Sequence, residues 1–194
     1  MRDSVVRKAF HQKVLKIEHD KIDTFVIDEL GLRNGEIRAD IAVVNEKMSG
    51  YEIKTERDTL NRLCNQILAY NEVFDKVYIV TAHNHLTKVL NTVPPWWGVY
   101  IIKISDASNF SFYLYRKAQL NKRLKCLGLA QLLWKNEVLE ILNAKMKFNI
   151  KSSVSKEELN DILSGICASR RLSKLVINYL KTRPGWRRDP AILL

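Results

Sequence analysis

The order of apolar and polar positions divides the first part of the chain into a helix followed by strands. Apolar residues recur at helical spacing through residues 4–19, which predicts an amphipathic opening helix. Asn34-Gly35 predicts a type I′ hairpin turn, because both central residues of that turn need positive φ. We therefore expect strands at residues 25–27, 36–45 and from Tyr51 onward, with a second turn at residues 47–50. These three strands form a meander directly after the helix.

A second helix and three further strands follow the meander. Residues 59–73 carry an apolar stripe at helical spacing, and either Asp58 or Thr59 could cap this helix. Residues 76–81 are largely apolar, as expected for a central strand. A short helix near residues 86–90 and strands at residues 99–104 and 110–115 complete the pattern. The succession of helices and strands predicts an α/β domain over residues 1–116.

From residue 118 onward the apolar pattern is helical. Apolar faces over residues 124–142 indicate two helices, and Ser155-Lys156-Glu157-Glu158 is a capping box that starts another. The same pattern continues through residues 172–180 and ends at Pro184-Gly185. We therefore expect residues 117–194 to form a helical extension to the α/β domain.

The positive charge of the chain lies almost entirely in this extension. Of the net charge of +11, residues 1–116 contribute +1 (16 Lys and Arg against 15 Asp and Glu), and residues 117–194 contribute +10 (16 against 6). A basic segment attached to a near-neutral one favours a polyanionic partner, most simply nucleic acid. A solvated basic surface without a partner is the alternative, and charge does not separate binding from catalysis.

The composition is that of a globular protein. The 194 residues are 46% hydrophobic and 27% charged, which is sufficient for a packed core. No apolar run approaches the roughly 18–20 residues of a membrane span, so no membrane partner is expected. Cys64, Cys126 and Cys167 are odd in number and far apart, so neither a disulfide framework nor a zinc site is expected. These features indicate a cytoplasmic protein.

Candidate chemistry lies on the second and third predicted strands. Side chains alternate across a strand, so Glu52 and Lys54 share one face while Ile53 points to the other. Asp40 lies on the neighbouring strand and could reach the face of Glu52. Two carboxylates and a backbone carbonyl are hard oxygen ligands of the kind that Mg²⁺ accepts. A lysine beside such an ion can position or deprotonate an attacking water.

The Glu52-x-Lys54 triplet is a weak motif when it is taken alone. An acid-x-lysine triplet arises by chance about once or twice in a chain of this length, and here it occurs once. The alternative is an exposed Glu52/Lys54 pair on a strand face, stabilising by no more than about 1 kcal/mol. Its place on the third strand of a meander, with Asp40 on the adjacent strand, favours the catalytic interpretation.

The order of elements around these residues resembles that of the PD-(D/E)XK nuclease superfamily. Longer motifs are similar to those of a group of bacterial and phage proteins in that superfamily, and the resemblance covers most of residues 5–140. Ala39 stands where the named motif has proline, at a position that is not a ligand. The similar motifs are Arg38-Ala39-Asp40-Ile41-Ala42, Tyr51-Glu52-Ile53-Lys54, Asp58-Thr59-Leu60, Arg62-Leu63, Gln66, Tyr70, Phe74-Asp75, Pro95-Trp96-Trp97-Gly98 and Leu132-Leu133-Trp134.

The resemblance implies a restriction-endonuclease-like core of helix, three-stranded meander, helix and strand. It also implies a Mg²⁺ or Mn²⁺ site formed by Asp40, Glu52 and the Ile53 carbonyl. Lys54 would activate the attacking water at that site.

Further residues are carried over from the resemblance. An acidic residue from the N-terminal region often completes such metal sites, and Glu29 is the first candidate here and Glu36 the second. Gln66 and Tyr70 lie four apart on the second predicted helix and so share a face. They resemble the Gln-x-x-x-Tyr feature of RecB-like members, where the pair lies near the active site and the nucleic-acid backbone. A helix face with an exposed amide and a half-buried ring is the alternative.

The expected function is metal-dependent hydrolysis of phosphodiester bonds, with DNA preferred over RNA by family analogy alone. Two alternatives stay open. One is a nucleic-acid-binding subunit with the same fold that does not cleave, although the intact Asp40, Glu52 and Lys54 set argues against an inactive copy. The other is a regulatory protein whose basic segment binds an acidic protein surface. The sequence also leaves open whether the chain acts as a homodimer or with a partner protein.

Overall fold

The meander that the turn signals predict forms the first half of a six-stranded sheet. A computed structural model describes residues 3–106, 109–146 and 150–183. The strands follow one another in chain order across the sheet: β1–β2–β3 is an antiparallel meander, β3–β4 and β4–β5 are parallel, and β6 is antiparallel to β5. They are β1 (Phe25–Leu32), β2 (Ile37–Val44), β3 (Met48–Lys54), β4 (Lys76–Ala82), β5 (Gly98–Asp106) and β6 (Asn109–Arg116).

Helices connect the parallel strands, because a parallel pair cannot be joined by a hairpin. α3 makes the crossover from β3 to β4, and α4 makes the crossover from β4 to β5. The chain is therefore a mixed α/β protein. Its helices in the described residues are α1 (Asp3–Lys13), α2 (Lys16–His19), α3 (Leu63–Val73), α4 (Leu86–Thr92), α5 (Cys126–Gln131), α6 (Lys135–Met146), α7 (Lys156–Ile166) and α8 (Ser169–Thr182).

The two faces of the sheet are covered by different helices. α1 covers one face, where Phe10 packs against Tyr51, Tyr100 and Phe112 with ring centroids 5.0–5.5 Å apart. The other face packs against α3 and α4, and its apolar core continues without a break into α5, α6, α7 and α8. The third strand is therefore buried on both faces, with its odd-numbered side chains towards α1 and its even-numbered ones towards α3.

Close packing fixes α3 above the third strand. A Cβ on Gly50 would lie 2.5 Å from the ring of Phe74, a distance that real Cβ atoms essentially never show. Phe74 is fully buried and directly follows α3. Glycine at position 50 thus allows the end of α3 to lie against the strand that carries Glu52.

The predicted opening helix and first turn are confirmed in position and corrected in detail. The helix breaks after Lys13 and resumes as the single-turn α2 at Lys16. The hairpin is not a two-residue type I′ turn, because Leu32 pairs with Ile37 and leaves a four-residue connection. Its backbone has positive φ at three consecutive residues, namely Arg33 (48°), Asn34 (58°) and Gly35 (96°).

Three other predicted boundaries are wrong, and the first is the end of β1, which extends to Leu32 instead of ending at Ile27. β3 begins at Met48 rather than Tyr51. Met48 is a fully buried apolar residue that belongs to the strand, so the turn before β3 lies earlier in the chain than predicted. α3 begins at Leu63 rather than residue 59, and neither Asp58 nor Thr59 caps it. The Asp58 carboxylate instead accepts hydrogen bonds at 2.6 Å from the backbone N–H and the hydroxyl of Thr55, which closes a turn after β3.

The C-terminal region is helical as predicted, and Ser155 caps α7 by accepting a hydrogen bond from the backbone N–H of Glu158 at 3.1 Å. β6 ends at Arg116, where the composition places the end of the α/β domain. A 2.6 Å ion pair between Arg170 and Asp75 ties α8 to the start of β4.

The division into separate domains at residues 1–116 and 117–194 stays a prediction. The expected helix end at Pro184-Gly185 lies outside the described residues.

No helix in residues 3–106, 109–146 and 150–183 combines the length and the apolar character needed to cross a membrane.

Candidate functional site

A cleft of about 530 Å³ lies over the C-terminal end of β3. It is bounded by α1 on one side and by the approach to α3 on the other, and residues from β1 and β2 complete its wall. Asp40, Glu52 and Lys54 all line it, together with the backbone of Ile53 and the side chain of Gln66. The fold thus brings residues from β2, β3 and α3 into one cleft.

Glu52 lies at the floor of this cleft and is only 1% exposed. Its Oε1 accepts hydrogen bonds at 2.5 Å from Lys54 Nζ and from Gln66 Nε2. Its Oε2 accepts a hydrogen bond at 2.5 Å from the hydroxyl of Tyr70. Three donors around one buried carboxylate offset its loss of hydration and hold it in a single orientation.

The strand and helix periodicities explain how these donors converge. Glu52 and Lys54 share the α3 face of β3, as predicted, whereas Ile53 packs into the core beneath α1. Gln66 and Tyr70 are one helical turn apart on α3 and both point at Glu52. Burial, followed by the charge of Glu52, raises the pKa of Tyr70, so its hydroxyl stays protonated and acts as a donor.

Asp40 is held beside Glu52 by the backbone of the next strand. Its Oδ2 accepts a hydrogen bond at 2.7 Å from the N–H of Ile53, and its side chain is 18% exposed. Burial and the nearby charge of Glu52 raise the pKa of Asp40 to about 8, against the lowering effects of the Ile53 N–H and of Arg7. If both carboxylates were ionised, they would carry more negative charge than their buried surroundings compensate, so Asp40 is largely protonated near neutral pH when no cation is bound.

Arg7 of α1 was not a candidate from the sequence, yet it closes the outer side of this carboxylate pair. Its guanidinium lies 2.5 Å from Glu29 Oε1, 2.7 Å from Asp3 Oδ2 and 3.6 Å from Asp40 Oδ1. The Asp3/Arg7 spacing of four residues on a helix is a sequence signal for that pair alone. The contacts with Glu29 and Asp40 depend on how α1 lies on the sheet.

Glu29 reaches the cleft in an unusual backbone conformation. It has a φ of 56°, and it lies opposite Asp40 between the paired residues Asp28–Ile41 and Leu30–Ala39. Its carboxylate is 42% exposed and is bonded to Arg7 rather than turned towards Glu52. Glu36, the second candidate, also lines the cleft. Positive φ is costly for residues other than glycine, and such strain is concentrated at functional sites.

The donor set fits a hard divalent cation with few protein ligands. Asp40 and Glu52 are close enough for one charge to raise the pKa of the other carboxylate, and the Ile53 backbone lines the same cleft. Mg²⁺ and Mn²⁺ accept such a set and keep water in the remaining positions. Within the described part of the chain, no three His, Cys, Asp or Glu side chains form a group that could hold a metal ion. Any such site therefore relies on two carboxylates and backbone oxygen.

The fold and cleft define an α/β protein with a buried carboxylate–lysine site at the end of a central strand. The chain belongs to the family described as Bacteriophage P4 protein cII, whose model matches residues 7–189. Protein cII of Enterobacteria phage P4 is 30% identical over 164 residues, which make up 83% of this chain and 60% of that protein. The chain thus spans 60% of the length of this relative. Among solved structures, a Silicibacter pomeroyi protein of unknown function has a TM-score of 0.43 and 15% identity, covering 72% of this chain and 87% of its own.

Proposed function

We propose that this protein is a metal-dependent nuclease of the PD-(D/E)XK type that hydrolyses phosphodiester bonds in DNA. The observation that carries the proposal is the convergence of Asp40, Glu52 and Lys54 in one cleft, with Lys54 Nζ 2.5 Å from a Glu52 oxygen. Glu52 and Lys54 are 1% and 5% exposed, so the exposed surface pair considered as the alternative does not describe them. A buried, oriented pair next to a second carboxylate is an arrangement suited to catalysis.

Each residue would have a distinct role in this proposal. Asp40, Glu52 and the carbonyl of Ile53 would hold the cation, which when bound supplies Lewis-acid polarisation of a phosphate oxygen and acidifies bound water. Lys54 would orient the attacking water and offset the charge that develops on the phosphate. The Lys54 ammonium group is already hydrogen-bonded to Glu52 in the cleft, so no rearrangement of β3 is needed to bring it there.

Gln66 and Tyr70 are positioning residues in this proposal. Both bond to Glu52 and neither needs to touch the substrate. Gln66 Oε1 has no hydrogen-bond partner within the described residues although it is buried, so Gln66 also offers one acceptor to the cleft that it lines. Arg7 would hold Asp40 and Glu29 at the outer rim.

The competing proposal is a protein of the same fold that binds nucleic acid without cleaving it. The contacts of Glu29 favour this rival, because that carboxylate is bonded to Arg7 and leaves Asp40 and Glu52 as the candidate acidic ligands. The two proposals share a partner and differ only in whether a phosphodiester bond breaks. Cleavage and binding must therefore be measured on the same substrates.

The test is a cleavage assay on linear and circular duplex DNA, single-stranded DNA and RNA, with Mg²⁺, Mn²⁺ or EDTA. We expect cleavage with either metal and none in EDTA. Lys54→Ala should lower the rate at least about 100-fold, since it removes the group that orients water. Lys88→Ala is the matched control, because Lys88 is exposed on α4 and does not line the cleft.

The outcomes separate the two proposals. If the wild-type protein binds a substrate but leaves every substrate intact with both metals, the binding protein is the correct interpretation. If Lys54→Ala cleaves as fast as wild type, the assigned site is wrong.

A further inference from the structure

The outer surface of α8 is basic, and the loop before α5 adds to it. The helix buries Leu172, Ser173, Val176, Ile177 and Leu180, all on one side. The opposite side includes Arg170, Arg171 and Lys174, which are exposed. Helical spacing places these three side chains within one arc of the surface.

The loop at residues 121–125 is fixed against the start of this helix. Arg170 Nη2 donates a 2.9 Å hydrogen bond to the carbonyl of Asn121, and Asn121 Nδ2 donates to the carbonyls of Asn71 and Phe74 at 2.8 and 3.0 Å. Asn121 is only 4% exposed, so the loop is anchored through a buried amide. Its basic side chains are exposed beside those of α8, and we call the joint surface the α8 patch: Lys122, Arg123, Lys125, Arg171 and Lys174.

The positive charge of the α8 patch is not neutralised locally. None of its five side chains forms an ion pair within the described residues. The loop passes two carboxylates, but Glu72 is paired with Arg33 at 2.8 Å and Asp75 with Arg170 at 2.6 Å. Uncompensated positive charge on a pre-formed surface is the electrostatic complement of a polyphosphate backbone.

The α8 patch and the cleft lie at opposite ends of α3. Arg62 lines the cleft at the start of α3. Near the end of α3, the Asn71 carbonyl accepts a hydrogen bond from the loop at residues 121–125. Nine residues of helix at 1.5 Å each separate the two by roughly 14 Å. This length along α3 corresponds to about four base-pair steps of 3.4 Å, which is well within the length of a short duplex.

We propose that the α8 patch binds the phosphate backbone of the nucleic acid whose phosphodiester bond enters the cleft. This inference rests on the proposed function for the identity of the polymer. It adds a place of contact, outside the cleft, that would hold the substrate independently of sequence.

Binding is tested in EDTA, where no cleavage is expected, by fluorescence anisotropy with a labelled duplex of about 20 base pairs, two helical turns. The variant is Arg123→Gln/Arg171→Gln/Lys174→Gln. The matched control is Lys8→Gln/Lys16→Gln/Lys88→Gln, which removes the same charge from exposed positions that do not line the cleft. Circular dichroism melting checks that both triple variants fold.

We expect the patch variant to bind at least about tenfold more weakly at low salt, and the slope of log affinity against log salt to become shallower by about 2–3. The control should change neither quantity by a comparable amount. Equal losses in both variants, an unchanged patch variant, or no binding by wild type would each overturn the inference. Patch-dependent binding of polyglutamate with unchanged duplex binding would also overturn it, in favour of an acidic protein partner.

The result is independent of the cleavage assay. Patch-dependent binding without cleavage at any metal concentration would contradict the nuclease proposal and support the role of the α8 patch. Metal-dependent cleavage with binding that does not depend on the patch would support the nuclease proposal and contradict the role of the α8 patch.

Discussion

Two buried carboxylate–cation pairs in this protein show what distinguishes a candidate site from a structural anchor. Glu137 and Arg183 are 5% and 8% exposed, and Arg183 binds both oxygens of Glu137 at 2.8 and 2.6 Å. Arg183 also donates to the Leu132 carbonyl at 2.7 Å and lies 4.5 Å from the centre of the Trp134 ring. This pair has opposite charges in balance and lies in the helical part of the molecule.

The Glu52–Lys54 pair is equally buried but its charge is not balanced. Asp40 lies beside it and adds a second carboxylate, and the group opens onto a cleft of about 530 Å³. Burial of an ion pair therefore does not by itself identify a site. A charge imbalance next to accessible volume does, because a cation or proton from solution can correct it.

The largest expected effect is on the structural pair. Arg183→Met should lower the free energy of unfolding by about 3–5 kcal/mol, because Glu137 would stay buried without its cation. Urea denaturation measures the change, with Lys174→Met as an exposed control. The double variant Glu137→Met/Arg183→Met should recover part of the loss. A single variant as stable as wild type would show that the pair is not an anchor.

The second effect concerns metal affinity, and it distinguishes the Asp40 carboxylate in the cleft from the Glu137 carboxylate of the structural pair. Asp40→Asn should weaken Mn²⁺ binding at least about 100-fold, because it removes one of two acidic ligands from the proposed site. Glu137→Gln should leave Mn²⁺ affinity unchanged. Isothermal titration calorimetry measures both. Equal affinities for wild type and Asp40→Asn would remove Asp40 from the metal site.

A third effect, which is smaller than the first two when it is taken per pH unit, follows from the charge imbalance itself. The pKa of Asp40 is raised from 3.8 to about 8 in the folded protein, so the folded state holds a proton that the unfolded state has lost. The stabilisation of the folded state by this Asp40 proton is complete below the unfolded-state pKa of 3.8, and it is lost as the pH rises towards 8. Metal-free protein should therefore lose about 1 kcal/mol per pH unit in this window.

Urea unfolding in EDTA at several pH values measures this loss. Asp40→Asn should flatten the dependence, because the amide does not titrate, whereas Glu137→Gln should retain it. An identical slope in wild type and Asp40→Asn would assign the pH dependence to other groups.

The smallest effect concerns the support of Glu52. Tyr70→Phe removes the hydrogen bond to Glu52 Oε2 and leaves the packed ring in place. Mn²⁺ affinity should fall by about 1 kcal/mol, roughly fivefold, because the carboxylate loses orientation while its charge is unchanged. Tyr113→Phe is the control, since Tyr113 is 56% exposed on β6. A similar decrease in both variants would deny Tyr70 a positioning role.

Much of the candidate site could be predicted from local periodicity. The alternation of β3 places Glu52 and Lys54 on one face, and the spacing of Gln66 and Tyr70 places them on one side of α3. These relations depend only on backbone geometry, which short stretches of sequence determine. The role of Arg7 could not be predicted in this way, because its contacts cross from α1 to β1 and β2.

Element boundaries were less predictable than element types. Asp58 has the residue type of a helix cap, yet its carboxylate closes the turn after β3, and α3 begins later at Leu63. A side chain with two possible backbone partners follows the one that the surrounding packing favours. The glycine at position 50 likewise has a reason that is visible only once Phe74 lies on β3.

The sequence by itself determined the mixed α/β character, the meander and the helical nature of the C-terminal region, because hydrophobic period and turn chemistry are local properties. It also placed Asp40 on the strand next to Glu52. Only the tertiary structure decided that Arg7 engages Glu29 and Asp40, that Glu137 and Arg183 form an anchor, and that the loop at residues 121–125 joins α8 in one basic surface. Those decisions depend on contacts between residues far apart in the chain, which helix and sheet packing select and no local pattern encodes.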